Sequence, residues 1–107
     1  MTISIQDFSE IDLRVAEIKA VEEHPNADKL LVLKIDAGDG EKQLVAGIKN
    51  HYSAEELIGR KIIVVDNLAP AVLRGVESQG MLLAARDADK VVLLTTDKDV
   101  KPGSRVQ

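Results

Sequence analysis

The chain carries no cysteine and only two aromatic residues, Phe8 and Tyr52. Without thiols, disulfides and thiolate metal sites are excluded, and a reducing cytosol is compatible. Two rings cannot make the platform on which single-strand binders stack successive bases. RNA binding by such a chain has to read shape and backbone instead. A positive excess is missing too: 14 Lys and Arg stand against 18 Asp and Glu, a formal net charge of -4. Neutralising phosphates needs Lys and Arg, so a nucleic-acid face here must rest on the local field and not on the net charge. Long hydrophobic runs are absent as well; a membrane span needs about 20 apolar residues. The opening segment is polar and acidic (Gln6, Asp7, Glu10), unlike a signal peptide. A cytoplasmic location with no membrane partner is expected.

What is present suits one domain, residues 1–107, with 45% hydrophobic residues to build a core without staples. Turn signals at short intervals predict many short strands. Ser4 to Glu10 reads as one helical turn capped by Ser4. Leu13 to Val21 is the first strand, and His24-Pro25-Asn26-Ala27-Asp28 breaks it, because Pro25 restricts itself and His24. In Leu30 to Ala37, Leu31, Leu33, Ile35 and Ala37 share one face, while Val32, Lys34 and Asp36 share the other. Gly38-Asp39-Gly40 is a hairpin signal, and Gln43 to Ile48 is the returning strand. Ser53 and Glu56 form a capping box for a short helix that Gly59 ends. Lys61 to Asp66 is a β-branched strand. Asn67 to Gln79 reads as irregular. Gly80 to Arg86 and Lys90 to Thr96 form a hairpin around Asp87-Ala88-Asp89, and a polar tail follows. Strand–strand–strand–helix–strand–strand is the order of an all-β, five-stranded oligonucleotide-binding (OB) barrel with short terminal extensions.

No catalytic or metal constellation emerges. Val76-Glu77-Ser78-Gln79-Gly80 has Val76 where a nucleophile elbow needs glycine. His24 and His51 lack the partners of a triad or a zinc site; they read as a turn residue and a surface residue. Asp36 to Glu41 fails the EF-hand spacing at Gly38 and reads as a hairpin turn. No cofactor is expected. Charges of both signs are interspersed, and Lys29, Lys49, Arg60-Lys61, Arg74, Arg86 and Lys90 are either surface residues or phosphate contacts.

Three segments carry a resemblance: Asp12-Leu13-Arg14-Val15; His24-Pro25-Asn26-Ala27-Asp28-Lys29-Leu30; and Asn67-Leu68-Ala69-Pro70 leading to Arg74-Gly75-Val76-Glu77-Ser78-Gln79-Gly80-Met81. In this order and spacing the chain closely resembles the tRNA-binding domain family, from about Ile5 to Arg105. That family includes free-standing dimeric tRNA-binding proteins and the C-terminal domain of methionyl-tRNA synthetase. The resemblance implies an OB barrel that binds structured tRNA in a shape-dependent way and does no chemistry itself. It also implies a homodimer through the chain ends. The chain would be the C-terminal piece or β subunit of methionyl-tRNA synthetase, or an independent tRNA-binding protein. Any ligase activity would lie in a separate catalytic domain or chain.

On this reading Lys29, Lys61, Arg74 and Arg86 supply charge. Asn67 and Ser78 offer hydrogen bonds to phosphate or 2′-OH groups. Gly75 and Gly80 allow close backbone approach. Met81 is a flexible apolar contact or fills core, and Asn67 equally suits a turn. Family members often carry lysine where Ala69 and Val72 stand here, which implies weak, supporting affinity. The alternative is a dimerisation or protein-docking module, or an OB-type export chaperone, with little RNA binding of its own.

Overall fold

The computed structural model describes all 107 residues. In chain order the elements are α1 (Ile5–Ser9), β1 (Leu13–Glu23), β2 (Leu31–Asp36), β3 (Glu41–Ala46), α2 (Ala54–Leu57), β4 (Lys61–Val65), β5 (Ala71–Leu73), β6 (Val76–Ser78), β7 (Met81–Leu82), β8 (Ala84–Asp87), β9 (Lys90–Leu93) and β10 (Arg105–Val106).

The main sheet runs β3-β2-β1-β4-β7, all antiparallel. β1 is long enough to serve two partners. Its first half pairs with β4 and its second half with β2, and a register shift lies between Ile18 and Ala20. Such an irregularity bends a strand and increases its twist, which lets a sheet curl on itself. The curled sheet encloses Ala16, Ile18, Leu33, Ile35, Leu44, Ile62 and Val64, all almost fully buried. Residues alternate in and out along each strand, so the face of β2 read from the sequence (Leu31, Leu33, Ile35) is the core face. Val32, on the opposite face, is buried as well.

The fifth barrel strand is split. β7 pairs with β4, while β6 reaches β3 largely through side chains. Gln79 N donates to Gln43 O at 2.7 Å, and Gln43 N donates to Gln79 Oε1 at 3.0 Å. Val45 N donates to the Ser78 hydroxyl at 3.0 Å, and that hydroxyl donates to Gly80 O at 3.0 Å. The barrel closes here because these groups satisfy backbone that an open edge would leave bare. Gly80 is required for the same closure. A Cβ on it would meet Val65 O at 2.9 Å, and its φ is +142°.

Both helices carry the expected caps. The Ser4 hydroxyl accepts from Asp7 N at 3.0 Å. The Ser53 hydroxyl accepts from Glu56 N at 3.3 Å and donates to the Glu56 carboxylate at 3.1 Å. α2 drops Leu57, fully buried, into the core, and Gly59 N bonds Ile18 O at 2.8 Å.

One expectation changes. Asn67 to Gln79 is not irregular: β5 and β6 form a hairpin in it, with Leu73 opposite Val76. Its two-residue turn is Arg74-Gly75, at φ 54° and 89°. Two positive φ values are what a right-twisted hairpin needs, but arginine at the first is unusual and hides the turn from a sequence reading. The tail is also tied down. β10 pairs with β1, and Gly103 N bonds Val15 O at 2.7 Å.

Candidate nucleic-acid interface

In an OB barrel the connections between strands 1 and 2 and between strands 4 and 5 flank the ligand groove. Here these are the segment from His24 to Leu30 and the β5–β6 hairpin. The two are docked on each other. His24 is buried at 6% exposure, and its Nε2 lies 2.8 Å from Leu73 O. Its Nδ1 accepts from Asn26 N at 2.9 Å. Asn26 Nδ2 donates to Arg74 O at 3.2 Å, and Arg74 Nη2 donates to Asn26 O at 3.2 Å. Arg74 is exposed at the hairpin tip. Lys29 is exposed in the facing segment and makes no ion pair.

The other residues singled out from the sequence fall into separate groups. Ser78 and Gly80 sit at the barrel closure, Ser78 with 4% exposure and its hydroxyl engaged on both sides. Met81 is 49% exposed, which corrects the core alternative. Leu82 next to it packs on the core, so the alternation of β7 turns Met81 outward. Asn67 is exposed but engaged: its Oδ1 accepts from Asp12 N at 2.8 Å and its Nδ2 donates to Glu10 O at 2.7 Å. It ties the end of β4 to the entry of β1.

Lys61 stands at the opposite end of β4 from Met81, which pairs with Val65. Its ammonium lies 2.9 Å from Asp99 and 3.9 Å from Glu17. The hydrogen bond it donates to Asp99 raises its pKa above the ordinary value. Arg86 lies exposed on the β8–β9 hairpin, a separate two-stranded sheet. Lys49 is paired with Glu23 at 2.7 Å, and Lys34 bonds the Gln43 side chain. Unpaired positive charge at the groove edge therefore comes from Arg74 and Lys29.

Neither aromatic ring serves as a stacking platform at this edge. The Tyr52 hydroxyl accepts from Leu93 N at 3.0 Å, and the Arg60 guanidinium sits 5.5 Å from the ring centre. Phe8 lines an apolar groove with Ile5, Ile11 and Val106 at the joined chain ends. Val72, one of the two positions where lysine is common in the resembling family, is 69% exposed on β5. The sequence reading missed His24 and Asn26 as parts of this edge. Their spacing around Pro25 signalled only a turn, and a turn's partner 48 residues away leaves no local trace.

Residues 13–105 match the family model described as "Putative tRNA binding domain". The chain belongs to the tRNA-binding domain family. Among curated relatives, the methionine–tRNA ligase of Pyrococcus furiosus is 55% identical over 105 residues, 98% of this chain and 14% of the ligase. That of Thermotoga maritima is 54% identical over 104 residues, 97% of this chain and 16% of the ligase. The chain thus spans about one seventh of such relatives. Among solved structures, a MetRS-related protein from Pyrococcus horikoshii superposes with a TM-score of 0.93 at 37% identity, covering 100% of this chain and 99% of that one. The CsaA chaperone protein of Picrophilus torridus does so at 0.92 and 40% identity, covering 99% and 100%. Both superpositions span nearly the whole chain. No helix in the chain is long and apolar enough to cross a membrane.

Proposed function

We propose that this domain binds structured tRNA by its backbone and shape, through the edge made by the His24–Leu30 segment and the β5–β6 hairpin. The observation that carries the reading is Arg74: an exposed arginine held at a hairpin tip by the facing loop. Arginine suits phosphate because its planar donors match phosphate oxygens. Arg74 and Lys29 are the charged contacts and Met81 an apolar one. Arg86 is a peripheral charge, and Lys61 contributes less because Asp99 and Glu17 already neutralise it. Asn67, Ser78 and Gly80 hold the backbone behind the surface. The domain does no chemistry. As the C-terminal domain or β subunit of methionyl-tRNA synthetase it raises the local concentration of tRNA at a separate catalytic centre. Two copies pair through the groove of Ile5, Phe8, Ile11 and Val106.

The test is fluorescence anisotropy with folded bulk tRNA at low and physiological salt, beside single-stranded RNA and duplex DNA. Preferential, salt-sensitive tRNA binding that drops in Arg74→Ala supports the reading. No tRNA binding at low salt overturns it.

A second reading is favoured by the CsaA chaperone neighbours and by exposed Val72, Leu73 and Met81. In it the same edge takes unfolded polypeptide. Capture of a reduced, unfolded test protein without tRNA affinity would select it.

A further inference from the structure

We infer that His24 and Asn26 are positioning residues that pre-set the Arg74 guanidinium for a tRNA phosphate; the inference rests on the tRNA-binding reading above. Hydrogen-bond logic fixes the state of His24. Leu73 O can only accept, so Nε2, at 2.8 Å, carries the proton. Nδ1 accepts from Asn26 N at 2.9 Å, so it carries a lone pair. One neutral tautomer thus joins the hairpin to the facing loop and folds that loop so that Asn26 meets Arg74.

Asn26 then holds Arg74 from two sides. Its amide donates to Arg74 O at 3.2 Å. Its main-chain carbonyl accepts from Arg74 Nε at 3.4 Å and Nη2 at 3.2 Å. Arg74 sits at φ 54°, where a non-glycine residue is strained. The amide bond to its carbonyl helps hold it there. A guanidinium has five N–H donors. Two are spent on Asn26 O, and both donors on Nη1 and one on Nη2 remain for an outside acceptor. That leaves a forked edge, the geometry that grips a phosphate at two oxygens.

The consequence is preorganisation. A free arginine loses much rotamer freedom when it docks, and ordering it in advance removes that cost from binding. Lysine cannot replace it, because a single ammonium lacks the rigid fork.

Asn26 is exposed, so Asn26→Ala removes one side-chain bond without opening the core. It is measured against folded tRNA with Arg74→Ala, Arg74→Lys and the Asn26→Ala/Arg74→Ala double variant. Asn26→Ala weakens binding roughly 3- to 10-fold, the range of one hydrogen bond, with the log–log salt slope unchanged because the charge stays. Arg74→Ala lowers the slope by about 1. Arg74→Lys keeps the slope but loses affinity. The double variant binds no more weakly than Arg74→Ala alone. In the free protein, the Arg74 Nε–H resonance is slow to exchange and becomes fast in His24→Gln, which releases the loop that carries Asn26 O. Additive effects of the two alanine substitutions overturn the positioning role while leaving tRNA binding intact. Unchanged affinity in Asn26→Ala beside a weakened Arg74→Ala also overturns it. tRNA binding insensitive to every Arg74 variant removes both the positioning role and Arg74 as a contact. No tRNA binding by the wild type is instead the failure of the functional reading itself.

Discussion

Gln43 and Gln79 exchange two hydrogen bonds, 2.7 Å from Gln79 N to Gln43 O and 3.0 Å from Gln43 N to Gln79 Oε1. The second replaces a backbone carbonyl with a side chain. The barrel is thereby closed at the point where its fifth strand changes partner, from β3 to β4. The motif Ser78-Gln79-Gly80-Met81 is therefore first a closure device, and Met81 is its one exposed side chain.

Ser78→Ala leaves Val45 N without its acceptor inside the barrel wall. The expected cost is about 1–3 kcal/mol, the desolvation penalty of an unpaired buried donor. Urea unfolding measures it. Below the unfolding transition, tRNA affinity stays at the wild-type level, because Ser78 lies behind the surface. An affinity loss in fully folded Ser78→Ala would show instead that its hydroxyl reaches RNA.

Gly38→Ala tests the tail. A Cβ at Gly38 would lie 2.6 Å from Gly103 Cα, and Gly38 has φ +97°. Backbone cannot yield as a flexible side chain does, so Gly103 and β10 must move off β1. A loss of about 2 kcal/mol or more is expected from overpacking and φ strain together. Hydrogen exchange at Val15 N, which bonds Ser104 O at 2.9 Å, would rise with it.

Lys61→Ala and Arg74→Ala should separate in salt titrations. Arg74 makes no ion pair, whereas Lys61 is paired with Asp99 and Glu17. Lys61→Ala is expected to leave the tRNA salt slope within about 0.3, and Arg74→Ala to lower it by about 1. Equal slope changes would mean that the RNA displaces Asp99.

Glu23 and Lys61 predict opposite ends of the pH–stability curve. The hydrogen bond from Lys49 lowers the Glu23 pKa from its ordinary 4.5. A lowered carboxylate pKa stabilises above the unfolded value, and that contribution is lost as pH falls through the folded value. Glu23→Gln should flatten the decline below pH 4.5. The Lys61 pKa is raised from 10.5, with the Asp99 hydrogen bond as the main cause. Its contribution is fully present below the unfolded value and is lost as pH rises through the folded one. Asp99→Asn should flatten the decline above pH 10.5. Both pairs reach solvent, so added salt should shrink both effects. Urea midpoints across pH and salt check them.

Phe8→Asp tests pairing of two copies through the chain ends. Phe8 is 38% exposed in a groove with Ile5, Ile11 and Val106. A charge there is expected to make the protein monomeric by light scattering while leaving its circular dichroism unchanged. A monomeric wild type would remove this pairing.

The sequence by itself determined the elements whose signals are local. Ser4 and Ser53 cap their helices because a cap acts within three residues. Leu31, Leu33 and Ile35 face the core because strand alternation is a property of the strand. The order of strands around α2 named the barrel, and the motifs from Asp12 to Met81 named the family. Tertiary structure alone decided which residues stand at the surface and which hold it from behind. Asn67 and Ser78 are polar and suit RNA contact on chemistry, yet both spend their hydrogen bonds on distant backbone: Glu10 and Asp12 for one, Val45 for the other. Lys61 and Lys29 are the same residue type in the sequence, but only folding brings Asp99 to Lys61. His24 read as a turn beside Pro25, while its ring joins two loops 49 residues apart in the chain. Propensity and periodicity act over a few residues, so they leave no record of such pairings. Those pairings are set where the curled β1 and the split fifth strand bring remote segments within hydrogen-bond reach.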